Sequence, residues 1–218
     1  MKKILAIALC VFIASCSANK VDPFEPVNRK VYMVSDAVDK ALLRPVAYMY
    51  QDLMPDWGKD RIGNALTNLT EPVTFLNSIF QLDGKHAYRT FCRFFINSTV
   101  GLLGTYDVAG KYGLEHRSED FGQTIGVYAK ETGPYIYLPF LGPSTARDVG
   151  GRVVDFFIDP FNYVENDAFQ ISRTVAGAIV TREKLLEVTE EIDKYSFDPY
   201  TAIRSGYLQH RKKEIENE

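Results

Sequence analysis

Apolar side chains recur three or four positions apart through most of the chain beyond residue 22, the spacing of helices with one apolar face. Val27, Val31, Val34, Val38, Ala41 and Leu42 form such a stripe and predict a helix from Pro26 to about Leu43, which Pro45 breaks or redirects. Further helices are predicted over Val46–Met54, Trp57–Leu69, Val73–Gln81 and Lys85–Ile96, the last with Arg89 and Arg93 opposite its aromatic face. Residues 133–140 carry two prolines and read as extended chain, after which Ser144 is placed to cap a helix through Phe157. Asp167–Ile192 reads as one long helix, and a C-terminal helix follows Asp198-Pro199. Asp22-Pro23, Glu25-Pro26, Glu71-Pro72, Asp159-Pro160 and Asp198-Pro199 all pair an acid with a proline. An acid can cap orphan N–H groups and proline at the first helical position loses no hydrogen bond, so each pair reads as a helix start. The pattern is all-α: a single domain of many short amphipathic helices.

Two segments depart from it. Residues 1–15 have a basic start at Lys2 and Lys3, an apolar run from Ile4 to Ala14, and then Ser15, the layout of a secretory signal peptide. The run is too short to span a bilayer, which takes about 20 apolar residues. Ile13-Ala14-Ser15-Cys16 looks like a lipobox, which makes Cys16 the acylated mature N-terminus; an ordinary leader with an incidental cysteine is the alternative. Residues 16–21 then form a lipidated tether whose reach to Asp22 is roughly 20 Å when extended, so the folded body rests against the membrane surface or lies partly within it. The second segment, Phe94–Ala109, is the most apolar stretch beyond the leader. Phe94, Phe95, Val100, Leu102 and Leu103 either dip into one leaflet as a hairpin, with Asn97–Thr99 and Asp107 at its wet boundary, or form a buried core hairpin. Residues 22–211 make up the domain, and 212–218 read as a polar, fraying tail.

Composition narrows the chemistry. The net charge is −3, two lysines leave with the leader, and no basic tract remains, so nucleic acid is not an expected partner. Of three cysteines, Cys10 leaves with the leader and Cys16 takes lipid, leaving Cys92 with no partner for an intrachain disulfide. No catalytic motif occurs, and His86, His116 and His210 are too far apart to suggest a metal site, so neither an enzyme nor a cofactor beyond the covalent lipid on Cys16 is expected. Thirteen tyrosines and 14 phenylalanines fit a bilayer interface as well as a core.

The ordered motifs carry a resemblance. Asp22-Pro23-Phe24-Glu25-Pro26-Val27-Asn28-Arg29, Arg44-Pro45-Val46-Ala47 and Asn68-Leu69-Thr70-Glu71-Pro72-Val73 come first. Next are Arg93-Phe94-Phe95-Ile96-Asn97-Ser98-Thr99-Val100-Gly101, Phe121-Gly122-Gln123-Thr124-Ile125-Gly126 and Leu138-Pro139-Phe140-Leu141-Gly142-Pro143-Ser144-Thr145-Ala146-Arg147-Asp148. Asp198-Pro199-Tyr200 and Tyr207-Leu208-Gln209-His210-Arg211 close the series. The set resembles the VacJ/MlaA lipoproteins of Gram-negative outer membranes. The resemblance implies a ring-like body embedded in the inner, periplasmic leaflet of the outer membrane, with a central amphipathic channel. Mislocalised phospholipids leave the outer leaflet through it toward a periplasmic lipid-carrier protein, and a trimeric porin associates with the ring. Arg147, Asp148 and Arg204 are candidate lipid-path residues, with structural ion pairing as the alternative. Ser17 after the lipid-bearing cysteine fits outer-membrane sorting. A static porin-associated or envelope-scaffold lipoprotein is the rival function.

Overall fold

A computed structural model describes residues 21–129 and 131–216. Cys16, the leader and the start of the tether lie outside the described residues. Helix α1 spans Glu25–Val38 and runs without a break through a π-helical turn, Asp39–Leu43, into α2, Arg44–Leu53. Pro45 therefore does not break the helix. Its ring would clash with the carbonyl four residues back, and the wider π turn just before it relieves that clash, with Arg44 N–H bonding to Asp39 O. Arg182 clamps the same turn through two bonds to the Asp39 carboxylate, 2.7 and 2.8 Å.

Helix α3, Asp56–Phe80, merges two segments that the pattern separates, and Pro72 lies inside it. Glu71-Pro72 is thus not a helix start: Glu71 is buried, and its carboxylate is bound by a neighbouring helix instead of capping its own. Helix α4 spans Gly84–Thr99, capped by Asp83, and a run of turns leads to the single-turn α5, Val108–Lys111. Helix α6 is Phe121–Tyr128. Strands β1, Tyr135–Leu138, and β2, Gly142–Thr145, then pair antiparallel. Thr145, not Ser144, caps α7, Ala146–Ile158: it is the last residue of β2 and its hydroxyl accepts from the Asp148 N–H. The expected long helix divides at Leu185 into α8, Asp167–Lys184, and α9, Leu186–Tyr195. Helix α10, Pro199–Glu216, continues through most of the expected tail, because Arg211 is buried and pairs with Glu214 on the same face.

Contacts between elements close a circuit. Helix α3 meets α8, α8 meets α2, α1 meets β1, β2 meets α7, α7 meets α6, and α6 returns to α3. Helix α4 packs on α3, and α10 leans on α6, β2 and α9. The α6–α7 crossing depends on glycine: a Cβ on Gly151 would lie 2.7 Å from the Gly122 Cα, backbone against backbone. Gly151→Ala is expected to destabilise the fold toward the upper end of about 1–3 kcal/mol, read as a lowered unfolding midpoint in detergent; an unchanged midpoint would mean the crossing is loose.

The interior is the reverse of a water-soluble core. Among the described residues, seven hydrophobic side chains are buried against 21 polar or charged ones. Trp57, Phe91, Phe95, Leu103, Phe140, Phe156 and Phe157 are all more than half exposed. In a water-soluble domain, large apolar side chains fill the core and charged ones are almost never fully buried unless paired. No helix among the described residues is long and apolar enough to cross a membrane.

Candidate functional site

The buried polar groups form connected networks. On α10, Tyr200, Arg204, Tyr207 and Arg211 fall at helical spacing along one face. At its start, Arg204 pairs with Asp22 (2.7 Å) and Glu25 (3.2 Å), while Tyr200 donates to Asp22 at 2.5 Å. Asn28 donates to the same carboxylate (2.8 Å) and to the Tyr135 carbonyl (3.1 Å), tying β1 to α1. Further along, Arg211 reaches Asp120 (2.5 Å) and Asp148 (3.1 Å), and Tyr207 and Thr145 both donate to Asp148. Burial pushes the Asp148 carboxyl up, but Tyr207 and Arg211 outweigh it and hold the group below the usual carboxylate range. Arg147 bonds Asp148 at 3.0 Å. The suggested lipid-path residues Arg147, Asp148 and Arg204 are all bound into internal ion networks.

A second network lies where α3 meets α4. Arg93 pairs with Glu71 (2.8 Å) and Asp107 (3.2 Å) and donates to the Leu114 carbonyl. Asn97 donates to Asp107 (3.0 Å) and accepts from Ala109 N–H (2.9 Å), while His116 meets Glu71 at 3.1 Å. These polar groups pin the base of the 100–106 turn from below. At its tip, Leu102 and Leu103 are 64% and 78% exposed, and both have left-handed backbones, φ 51° and 58°. Gly104 follows at φ 85°, where a Cβ would run into the Asn68 side chain. Val100 and Phe95 are exposed as well, and Phe94 is half-buried. The apolar side chains of Phe95, Val100, Leu102 and Leu103 are thus exposed while Asn97 is buried.

Between α3, α7, α8 and the start of α6 lies a polar groove with a cavity of about 270 Å³, lined by Thr74, Ser118, Asp120, Arg152, Asp155 and Arg173 among others. An apolar recess of about 550 Å³ is walled by Phe80 and, on α6, by Phe121, Ile125 and Tyr128. Phe121 links the two: its ring faces the recess and its N–H donates to Asp155 at 3.1 Å. Burial raises the Asp155 carboxyl above its ordinary range, against the pull of its bonds from Asn77 and Phe121. A raised folded-state pKa gives stability below the unfolded value that is lost as pH rises through the folded one. Asp155→Asn keeps an acceptor for both donors and removes the ionisation. It is expected to flatten the fall in stability between about pH 4 and neutrality without lowering stability at pH 7. Thermal unfolding across that range checks this, and a loss of about 1 kcal/mol or more at neutral pH would show the carboxylate to be the favoured form.

Glu71, Asn77, Arg152 and Asp155 escape sequence reasoning. A signal is present for the first two: Asn68, Glu71, Thr74, Asn77 and Ser78 form a polar stripe at helical spacing, and that stripe is the buried face of α3. His86, in the first turn of α4, is also buried, with its Nδ1 2.7 Å from Ser78 Oγ.

The family model described as MlaA lipoprotein matches residues 20–214. The chain is 32% identical over 204 residues to the intermembrane phospholipid transport system lipoprotein MlaA of Escherichia coli strain K12, covering 92% of this chain and 80% of that one. The protein of that name from Haemophilus influenzae is 30% identical over 194 residues, 87% of this chain and 77% of its own. A Rickettsia felis protein of uncharacterized function is 35% identical over 196 residues, covering 89% and 78%. A solved structure described as the structural basis for maintenance of bacterial outer membrane lipid asymmetry superposes with a TM-score of 0.79 at 32% identity. It covers 89% of this chain and 98% of that one.

Proposed function

The chain belongs to the MlaA lipoprotein family, and from that membership we propose that it withdraws mislocalised phospholipid from the outer leaflet of the outer membrane and passes it to a periplasmic carrier, so maintaining lipid asymmetry. The reversed interior is the observation that supports this reading most directly. Apolar side chains face outward, where acyl chains would solvate them, and polar groups line the inside. A phospholipid headgroup crossing a leaflet alone loses its hydration, whereas a polar interior can supply replacement hydrogen bonds.

The finer parts of the reading are proposals too. The body sits in the inner leaflet, anchored through acyl chains on Cys16. Each buried methylene adds about 0.8 kcal/mol, so two or more chains hold firmly where one would not. A trimeric porin borders the apolar exterior, and a periplasmic lipid-carrier protein receives the lipid. The protein works as a conduit and performs no covalent chemistry. Mass spectrometry of the mature protein should find Cys16 as a lipid-modified N-terminus, and a mature start elsewhere without lipid would remove the anchor from this account.

Function is tested by reconstituting the full lipoprotein in liposomes with dye-labelled phospholipid and following lipid loss with and without carrier protein. Carrier-dependent depletion is expected. Binding of porin or carrier with no lipid movement would favour the static scaffold instead.

A further inference from the structure

The groove between α3, α7 and α8 is lined by four carboxylates and two guanidinium groups. Most of that charge is already matched. Glu119 meets Arg117 at 3.0 Å, Asp120 meets Arg211 at 2.5 Å, and Asp159 pairs with Arg173. Asp155 accepts from Asn77 Nδ2 at 2.9 Å and from Phe121 N–H, so its oxygens are turned to donors of the protein itself. Arg173 is held further by Asn162 and by the face of Phe161. Arg152 is the exception. It lies on α7 at the groove and is exposed, and among the described residues it makes no ion pair or hydrogen bond. Ser118, across the groove, also has an uncommitted hydroxyl.

We propose that Arg152 is the headgroup-binding residue of the conduit, taking the phosphate of a passing phospholipid in the groove, with Ser118 as a second donor. A guanidinium offers a planar fork of donors that matches two phosphate oxygens and stays charged at every relevant pH. Arg173 cannot do this without giving up Asp159, which would then be left buried without its partner. A single exposed cation also suits transit, since it gives a hold strong enough to admit the headgroup and weak enough to release it. Phe121 lines the apolar recess and bonds Asp155 of the groove, so the two are neighbours, in line with a ligand that has one polar and one apolar end.

This assignment rests on the proposed phospholipid transport, and the test separates the two. Full-length lipoprotein in liposomes is assayed for carrier-dependent transfer of labelled phosphatidylglycerol, phosphatidylethanolamine and phosphate-free diacylglycerol. The wild-type protein is expected to move both phospholipids and not diacylglycerol. Arg152→Glu should slow phospholipid transfer about tenfold, the scale of one charge-assisted hydrogen bond lost. Arg152→Gln should slow it less, Arg152→Lys should retain most of it, and all three should keep the wild-type circular dichroism spectrum. Transfer at the wild-type rate by Arg152→Glu and Arg152→Gln overturns the assignment and leaves the transport function standing. No transfer by the wild-type protein overturns both. Inorganic phosphate at high concentration should compete with the headgroup and slow wild-type transfer more than that of Arg152→Gln; equal slowing of both would place the anion contact away from Arg152 and overturn the assignment.

Discussion

Arg93→Met is expected to destabilise the folded chain by about 3–5 kcal/mol, the largest loss of any single substitution considered. Both partners of the Arg93–Glu71 pair are buried, to 3% and 1% exposure, and the guanidinium also holds Asp107 and the Leu114 carbonyl. Truncating it leaves the Glu71 carboxylate charged, buried and facing only the half-exposed His116. It also frees the loop that crosses from α5 to α6. The penalty comes from that orphaned charge and less from the pair's own attraction, so the double variant Glu71→Gln/Arg93→Met should recover a substantial part of it. Unfolding midpoints of the wild type, the two single variants and the double variant in one detergent form the required cycle. A double variant as unstable as the sum of the singles would show no coupling between the two residues and overturn the stranded-charge account.

The 100–106 turn should respond in opposite directions in two assays. A left-handed backbone costs a leucine roughly 1–2 kcal/mol, and glycine at the same place gives back roughly 0.5–1 kcal/mol in unfolded-chain freedom. Leu102→Gly/Leu103→Gly should therefore leave the stability of the isolated chain unchanged or slightly higher. Two exposed leucines in strained geometry gain nothing from the protein around them. If lipid is what they touch, the same double variant should sit less deeply in a bilayer. Leu103→Asp should do so more sharply, within an upper bound of about 2.5–3.5 kcal/mol for a charge at the membrane centre. Nitroxide labels at 102 and 103 of the reconstituted lipoprotein should be reachable by oxygen and shielded from a water-soluble relaxant. Labels open to the aqueous relaxant in a transporting protein would place the turn in water.

Helical content is legible in the sequence because apolar stripes and acid–proline pairs mark helices whichever way the stripe faces. What periodicity cannot give is that direction. In α3 and α4 the apolar stripes point outward and the polar residues Glu71, Asn77, Arg93 and Asn97 are inside, an inversion that a 3.6-residue period leaves undetermined. Two helix boundaries are misplaced for a related reason. Proline within a helix is usually costly, but the π turn before Pro45 and the packing of α3 against α4 around Pro72 accommodate it. The β1–β2 hairpin is half legible: its first strand follows from the proline-bounded extended chain, while Gly142–Thr145 carries no strand-like alternation. Arg152 gives no signal at all, since an unpaired arginine can be recognised only once every other charge around it has found a partner.

The stripe on α10 also bears on when this protein can fold. Arg204 and Tyr200 grip Asp22 across sequence separations of 182 and 178 residues, and Arg211 joins Asp120 and Asp148. These partners are among the last residues to be synthesised, so Asp22, Asp120 and Asp148 wait for their α10 partners until almost the whole chain has been made. Contacts this distant in sequence slow folding and extend the life of partly ordered forms. Until α10 arrives, outward-facing aromatics would be exposed to water with no closed polar interior behind them. A chain truncated before Pro199 would carry the outward-facing apolar surface but lack the helix that locks the interior.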